Sequence, residues 1–157
     1  MRNIKLYIIV LILIFNNGCG FTVLDRSKLS NFDVLEISSS GEKSIGYKLK
    51  NKILSESAKE NPKKIKIDLK INKNKSIKEK NIKNEIVKYQ IDLNVDVVLT
   101  EIIDNRIKNF SLKVNGDYNV GSQHSNTLSN EKILVKNLTD NLSDDLLEKI
   151  IIIINDL

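Results

Sequence analysis

Residues 64–71 read Lys-Ile-Lys-Ile-Asp-Leu-Lys-Ile, with Ile65, Ile67, Leu69 and Ile71 at every second position and a charged side chain at each position between. Successive side chains of an extended chain point to opposite faces, so this alternation makes a strand with one buried and one wet face. The pattern resumes at Tyr89, Ile91, Leu93, Val95, Val97 and Leu99, with Gln90, Asp92, Asn94, Asp96 and Thr100 facing the other way. A third run places Phe110, Leu112, Val114 and Tyr118 on one face, after a turn signal at Asp104-Asn105. Residues 72–84 read as a loop, and the three strands as an antiparallel meander with a single apolar face.

That face needs a cover, and the flanking sequence offers two helices. Upstream, Ile45, Leu49 and Ile53 recur every four residues, widened by Leu54 and Ala58, which predicts a helix from about Glu42 to Lys59. Asn61-Pro62 ends it, because proline disfavours helical backbone in the residue before it. Ser38-Ser39-Ser40-Gly41 reads as a breaker with Ser40 as N-cap. Before it comes a short strand over residues 33–38, with Leu35 and Ile37 on the same face as Asp33. Downstream, a polar stretch over residues 119–126 leads to Leu134, Leu138, Leu142 and Leu146, and Ile150, Ile153 and Leu157 continue that stripe. Five consecutive isoleucines, 150–154, favour a strand in isolation, but their place after a long helical period makes them helix; Asn141 and Ser143 are points of weakness. The fold expected is α+β: a four-stranded, mostly antiparallel mixed sheet with two helices on one face, in the order β-α-β-β-β-α.

The N-terminus reads as an export signal. Arg2 and Lys5 precede ten unbroken apolar residues from Leu6 to Phe15, and Gly18 precedes Cys19. Ten residues of helix rise about 15 Å, half a bilayer core, so a permanent span is the poorer reading. The segment resembles a bacterial lipoprotein signal, in which such a cysteine is lipidated and begins the mature chain; Asn16 and Asn17 depart from the usual pattern. The alternative is an ordinary signal peptide that leaves one cysteine nearby. Three parts follow: a signal at 1–18, a lipid-anchored tether at 19–32 and a single domain at 33–157.

The catalytic inventory is thin. One Cys and one His, Cys19 and His124, cannot build a zinc site, and a Ser or Cys hydrolase would have only His124 as base. His124 reads as a solvated loop residue, and Asp144, Asp145 and Glu148 as a solvated helix face. With no phosphate-binding glycine loop either, neither a cofactor nor an enzymatic activity is expected. The net charge of +5 rests on a chain in which Lys, Ile and Asn make up 66 of 157 residues, a skew that A/T-rich codons produce. The charge is nevertheless localised: residues 59–88 hold eleven lysines against four acids. Lys64, Lys66 and Lys70 have two readings, cross-strand pairing with Asp92 and Asp96 or a binding role. Lys73, Lys75, Lys78, Lys80 and Lys83, opposed only by Glu79, are the candidate anion-binding group, the other reading being a solvated basic hairpin. Export removes cytosolic nucleic acid as a partner. At an outer membrane the abundant anion is lipopolysaccharide, whose phosphates suit lysine point charges.

Cys19-Gly20-Phe21, the order of elements, Lys88-Tyr89-Gln90-Ile91 opening the long central strand, and Tyr118-Asn119-Val120 before a long C-terminal helix together resemble the LPS-assembly lipoprotein family, LptE. The resemblance covers the whole chain from Cys19, with the loop before the last helix abbreviated. It implies a non-enzymatic lipoprotein on the periplasmic side of the outer membrane, where Gly20, not Asp, after the cysteine implies sorting. It further implies a plug within an LptD-like β-barrel that binds lipopolysaccharide, and so makes the five lysines lipopolysaccharide-binding candidates. The alternative is another small exported lipoprotein that binds a different envelope component or serves as a structural subunit.

Overall fold

The computed structural model describes residues 32–59 and 61–156. The signal segment, Cys19 and the tether up to residue 31 lie outside the described residues, as do Glu60 and Leu157. Six elements follow one another: β1 (Asp33–Gly41), α1 (Lys43–Glu56), β2 (Lys64–Lys80), β3 (Ile86–Glu101), β4 (Ile107–Asn119) and α2 (His124–Asn155). The sheet order is β1-β2-β3-β4, with β1 parallel to β2 and the other neighbours antiparallel. The expected α+β mixed sheet and element order are therefore present. The crossover through α1 makes the first pair parallel, since a helix between two strands returns the chain to the same end of the sheet.

One face of the sheet makes the core. Ile65, Ile67, Leu69 and Ile71 of β2 and Ile91, Leu93, Val95, Val97 and Leu99 of β3 are buried against Ile45, Leu49 and Ile53 of α1 and Leu138, Leu142, Leu146, Ile150 and Ile154 of α2. Both helices thus cover the same face. The opposite face is polar and braced by its own hydrogen bonds: Ser111 to Asp96 (2.6 Å), Asn94 to Asp96 (3.1 Å), Gln90 to Asp92 (3.2 Å) and Ser38 to Asp68. No helix of the described residues is long and apolar enough to cross a membrane.

Several boundaries differ from the sequence reading, each for a physical reason. Residues 72–80 are not a loop: β2 runs on to Lys80, pairing with β3 up to Lys80 opposite Ile86. Their backbone groups on the β3 side are satisfied by the ladder while their side chains stay wet, so no apolar alternation marks the strand. The reversal occupies only residues 81–85, where Asn81 Oδ1 accepts the N–H groups of Lys83 (2.9 Å) and Glu85 (3.0 Å) and Asn84 takes a left-handed φ of 63°. In β1, Ser38-Ser39-Ser40-Gly41 is strand, not breaker. A bulge between Val34 and Glu36 expels Leu35, so Val34 and Ile37, not Leu35, lean on the core. The turn into α1 falls at Gly41 (φ +91°), where a Cβ would collide with the carbonyl oxygen of Ile71. The N-cap is Glu42, without a side-chain cap, and the Ser40 hydroxyl instead reaches the Leu69 carbonyl at 3.4 Å.

The helices are adjusted in the same way. α1 stops at Glu56, short of Ala58, because the Ser57 hydroxyl accepts the Val34 N–H (2.9 Å) and the Ala58 N–H goes to Phe32 O (3.0 Å). Leu54 lies off its buried stripe. α2 begins at His124, which is a helix residue and not a loop residue. It continues through Asn141 and Ser143, whose hydroxyl bonds back to the Asp140 carbonyl at 2.7 Å. The isoleucine run is helical, and the four-residue step from Leu138 continues to Ile154, leaving Ile153 half-buried. Gly116 of β4 lets this helix come close, since a Cβ there would stand 2.8 Å from Leu134 Cδ1.

Candidate functional site

Past Ile71 the helix-facing row of β2 changes from apolar to basic, to Lys73 and Lys75, then returns to Ile77. The two lysines meet different surroundings. Lys75 reaches Glu131 of α2, with Nζ 2.6 Å from Oε2, and lies 4.3 Å from the ring centre of Tyr89 and 5.4 Å from that of Tyr118. The two tyrosine rings stack at 5.7 Å, and the Tyr118 hydroxyl donates to the same Glu131 oxygen at 2.8 Å. The hydrogen bond that Lys75 donates holds the Glu131 carboxyl below its usual range, and its acceptance by Glu131 raises the pKa of the Lys75 ammonium. Burial is the main cause that pushes the Tyr118 phenol up. This knot fastens the start of α2 to the sheet and consumes both charges.

Lys73 instead lines a cleft of about 330 Å³ between the first turn of α1 and the N-terminal half of α2. Four lysines stand around it: Lys48 from α1, Lys73 from β2, and Lys132 and Lys136 from α2. Ile45, Leu128 and Val135 supply its apolar lining. Asp140 takes up Lys136 (3.3 Å) and, more loosely, Lys48 (3.9 Å). Glu131, the carboxylate in the lining, is held by Lys75 and Tyr118. Lys73 and Lys132 form no ion pair among the described residues, so the cleft presents two ammonium groups over apolar side chains. That suits an amphiphile with a phosphate or carboxylate head: the point charges take the anion and Ile45, Leu128 and Val135 shelter the hydrocarbon.

The five lysines singled out from sequence do not form one site. Lys73 is in the cleft and Lys75 in the knot. Lys78 pairs with Asp117 at 3.3 Å, Lys80 donates to Asn84 Oδ1 at 3.0 Å, and Lys83 is in the hairpin turn. The expectation that only Glu79 opposes them is corrected: Glu131 and Asp117 arrive from α2 and β4, and Glu79 itself goes to Lys88 at 3.4 Å. Lys66 pairs with Glu36 (2.8 Å) on β1, and Asp92 with Lys113 (3.6 Å) on β4. Of the proposed pairs across β2 and β3, Lys70 stands opposite Asp96, whose carboxyl is held low mainly by the Ser111 hydroxyl. Lys48, Lys132 and Lys136 were invisible as site residues, because only the packing of α1 against α2 brings them to Lys73. The i, i+4 spacing of Lys132 and Lys136, flanking Val135, is the one local signal of a basic face beside an apolar stripe. Among the described residues no group of His, Cys, Asp and Glu is arranged to hold a metal.

The fold is one already seen in solved structures. Rare lipoprotein B from Shewanella oneidensis is similar to this chain with a TM-score of 0.61 and 15% identity, over 75% of this chain and 93% of that one. Lipoprotein B from Nitrosomonas europaea gives 0.55 and 14%, over 77% and 85%. A candidate lipoprotein from Caulobacter crescentus CB15 gives 0.57 and 14%, over 83% and 95%. At such identities the likeness is one of fold. No protein-family model matches the chain, and no curated protein does.

Proposed function

We propose that this chain is a lipid-anchored protein of the bacterial outer membrane, of the LptE kind, which binds lipopolysaccharide and serves an LptD-like β-barrel as plug and assembly partner, with no catalytic step of its own. The observation that carries the reading is the cleft, where Lys73 and Lys132, which form no ion pair among the described residues, stand beside Ile45, Leu128 and Val135. A phosphorylated glycolipid needs this pairing of fixed cations and apolar lining. Two further features support it. Away from Val98 and Ile107 at the β3–β4 turn, the uncovered sheet face is polar, as a body seated in the wet lumen of a barrel requires. The solved proteins of like fold carry the name lipoprotein, which fits Cys19 as the anchor.

The test is lipopolysaccharide binding by wild type and by a Lys73→Gln/Lys132→Gln double variant. Neither side chain has a carboxylate partner among the described residues, so the fold survives the change. Binding should weaken several-fold at low ionic strength, and the gap should close as salt screens the charges. Equal binding by the folded variant at low salt would remove the cleft from the function. Copurification with a large outer-membrane barrel from native membranes tests the partner. Capture of a different envelope component would favour the alternative of an unrelated small lipoprotein.

A further inference from the structure

The end of the sheet remote from the basic hairpin carries an apolar cluster that the cleft does not use. Ile102, Ile103 and Ile107 are 37%, 66% and 58% exposed, and Val98 is exposed behind them. Ile107 pairs with Thr100, one step along the outer face from Val98. Exposed isoleucines on a mobile loop would mean little, but this turn is braced. Arg106 Nε donates to the buried Glu101 carboxylate (2.9 Å), with Nη2 at 2.7 Å from the same oxygen as an ion pair, and Nη2 donates to Asp104 at 2.9 Å. The Glu101 N–H bonds to Arg106 O at 2.9 Å, and Asn105 takes φ 52°. The Ile102 N–H bonds to Lys64 O at 2.9 Å, which fixes the turn to the start of β2. The result is a rigid loop that presents Ile102 and Ile103 outward. Lys64, whose carbonyl holds Ile102, and Lys108, opposite Leu99, form no ion pair among the described residues and flank it.

The chain's N-terminal side limits how this end can stand relative to an anchored bilayer. Phe32 and Asp33 lie beside Lys63 and Lys64, at the same end as the turn. Cys19 is thirteen residues before Phe32, a span of at most about 47 Å even fully extended. β2 has seventeen residues and is about 53 Å long at strand rise. A molecule standing upright on its basic hairpin would hold Phe32 farther from the surface than that span reaches. We infer that the braced β3–β4 turn, led by Ile102 and Ile103, is a membrane-contacting foot that seats in the headgroup and acyl boundary of the bilayer holding the lipid on Cys19. The inference rests on the lipid-anchor reading. Confinement by the anchor lets so small a patch bind, since attachment turns a weak contact into an intramolecular one. Lys64 and Lys108 add attraction to anionic headgroups.

The sequence contains no tryptophan and a single cysteine, which makes the test direct. The chain from Cys19 onward retains the whole core, because every core residue lies between Phe32 and Ile154. Its Cys19 thiol is coupled to a maleimide lipid in vesicles of phosphatidylethanolamine and phosphatidylglycerol, which reproduces the anchor whether or not the cell lipidates it. Ile103→Trp reports the turn, Ile102→Trp serves as a second reporter in case the first variant misfolds, and Ile82→Trp, at the fully exposed hairpin tip, is the control. Tryptophan at 103 or 102 should shift to the blue and lose fluorescence when brominated phosphatidylcholine is included in the vesicles, while tryptophan at 82 should do neither. No quenching at the turn, or equal quenching at both ends, overturns the foot. The anchor itself is read separately: an unmodified Cys19 in the mass of the native protein would remove the lipid-anchor reading and leave the outcome of the coupled experiment standing.

Discussion

Lys75, Glu131, Tyr89 and Tyr118 come from four different elements and meet at one point, which makes their chemistry sensitive to pH. Glu131 has its folded-state pKa lowered, chiefly by the Lys75 hydrogen bond. Its contribution to stability is therefore complete above the ordinary glutamate range, near pH 4.3 in an unfolded chain, and is lost as pH falls through the lower folded value. Lys75 is the converse, its raised pKa giving stability below its unfolded value that is lost as pH rises through the folded one. In urea melts from neutral to acid pH, Glu131→Gln should be less stable than wild type at neutral pH and should lose less stability on acidification. Parallel curves would show that the pair contributes nothing. At the opposite end of the sheet, Arg106→Ala would strand the buried Glu101 carboxylate, at a cost of about 2–3 kcal/mol in chemical denaturation.

At the scale of elements, α2 is fixed by one row of side chains. Its 32 residues extend about 48 Å, and Leu138, Leu142, Leu146, Ile150 and Ile154 are buried along it. Continuing the row to Ile154 and not to Ile153 changes which substitution matters. Ile154→Ala should cost about 2–5 kcal/mol, with a clear fall in melting temperature, and Ile153→Ala distinctly less. The end of the helix is also tied down, since Lys63 Nζ donates to the Ile154 carbonyl at 2.6 Å. Equal losses for the two variants would mean that the last turns pack differently.

Across the whole molecule, the helix layer covers only part of the sheet. Residues 65–71 of β2 lie under α1 and α2, the side chains of Lys73 and Lys75 still reach the start of α2, and residues 76–80 are paired with β3 but exposed. Stability should divide accordingly. In native-state hydrogen exchange, amides of the hairpin extension should open with smaller free energies than those of Ile67, Leu69, Val95 and Val97, although all belong to one continuous ladder. Uniform protection along β2 would mean that pairing alone, without helix cover, sustains the hairpin.

The alternation at 64–71 and 89–99 and the four-residue steps around Leu49 and Leu142 determined the sheet, the helices and their order, because each burial pattern has a period only one kind of backbone can satisfy. That part of the fold was local and therefore legible. The hairpin extension, the bulge at Leu35 and the strand character of Ser38–Gly41 were not, because backbone pairing with a remote strand holds them and leaves no apolar period behind. The candidate site was half legible. Lys73 stood out in a basic run, but its companions Lys48, Lys132 and Lys136 look like ordinary solvated helix residues until α1 and α2 are laid side by side. Charge pairing was decided last of all: whether a lysine is free to take an anion depends on which carboxylate the tertiary structure brings within about 4 Å, and for Lys75 and Lys78 those carboxylates come from 56 and 39 residues away.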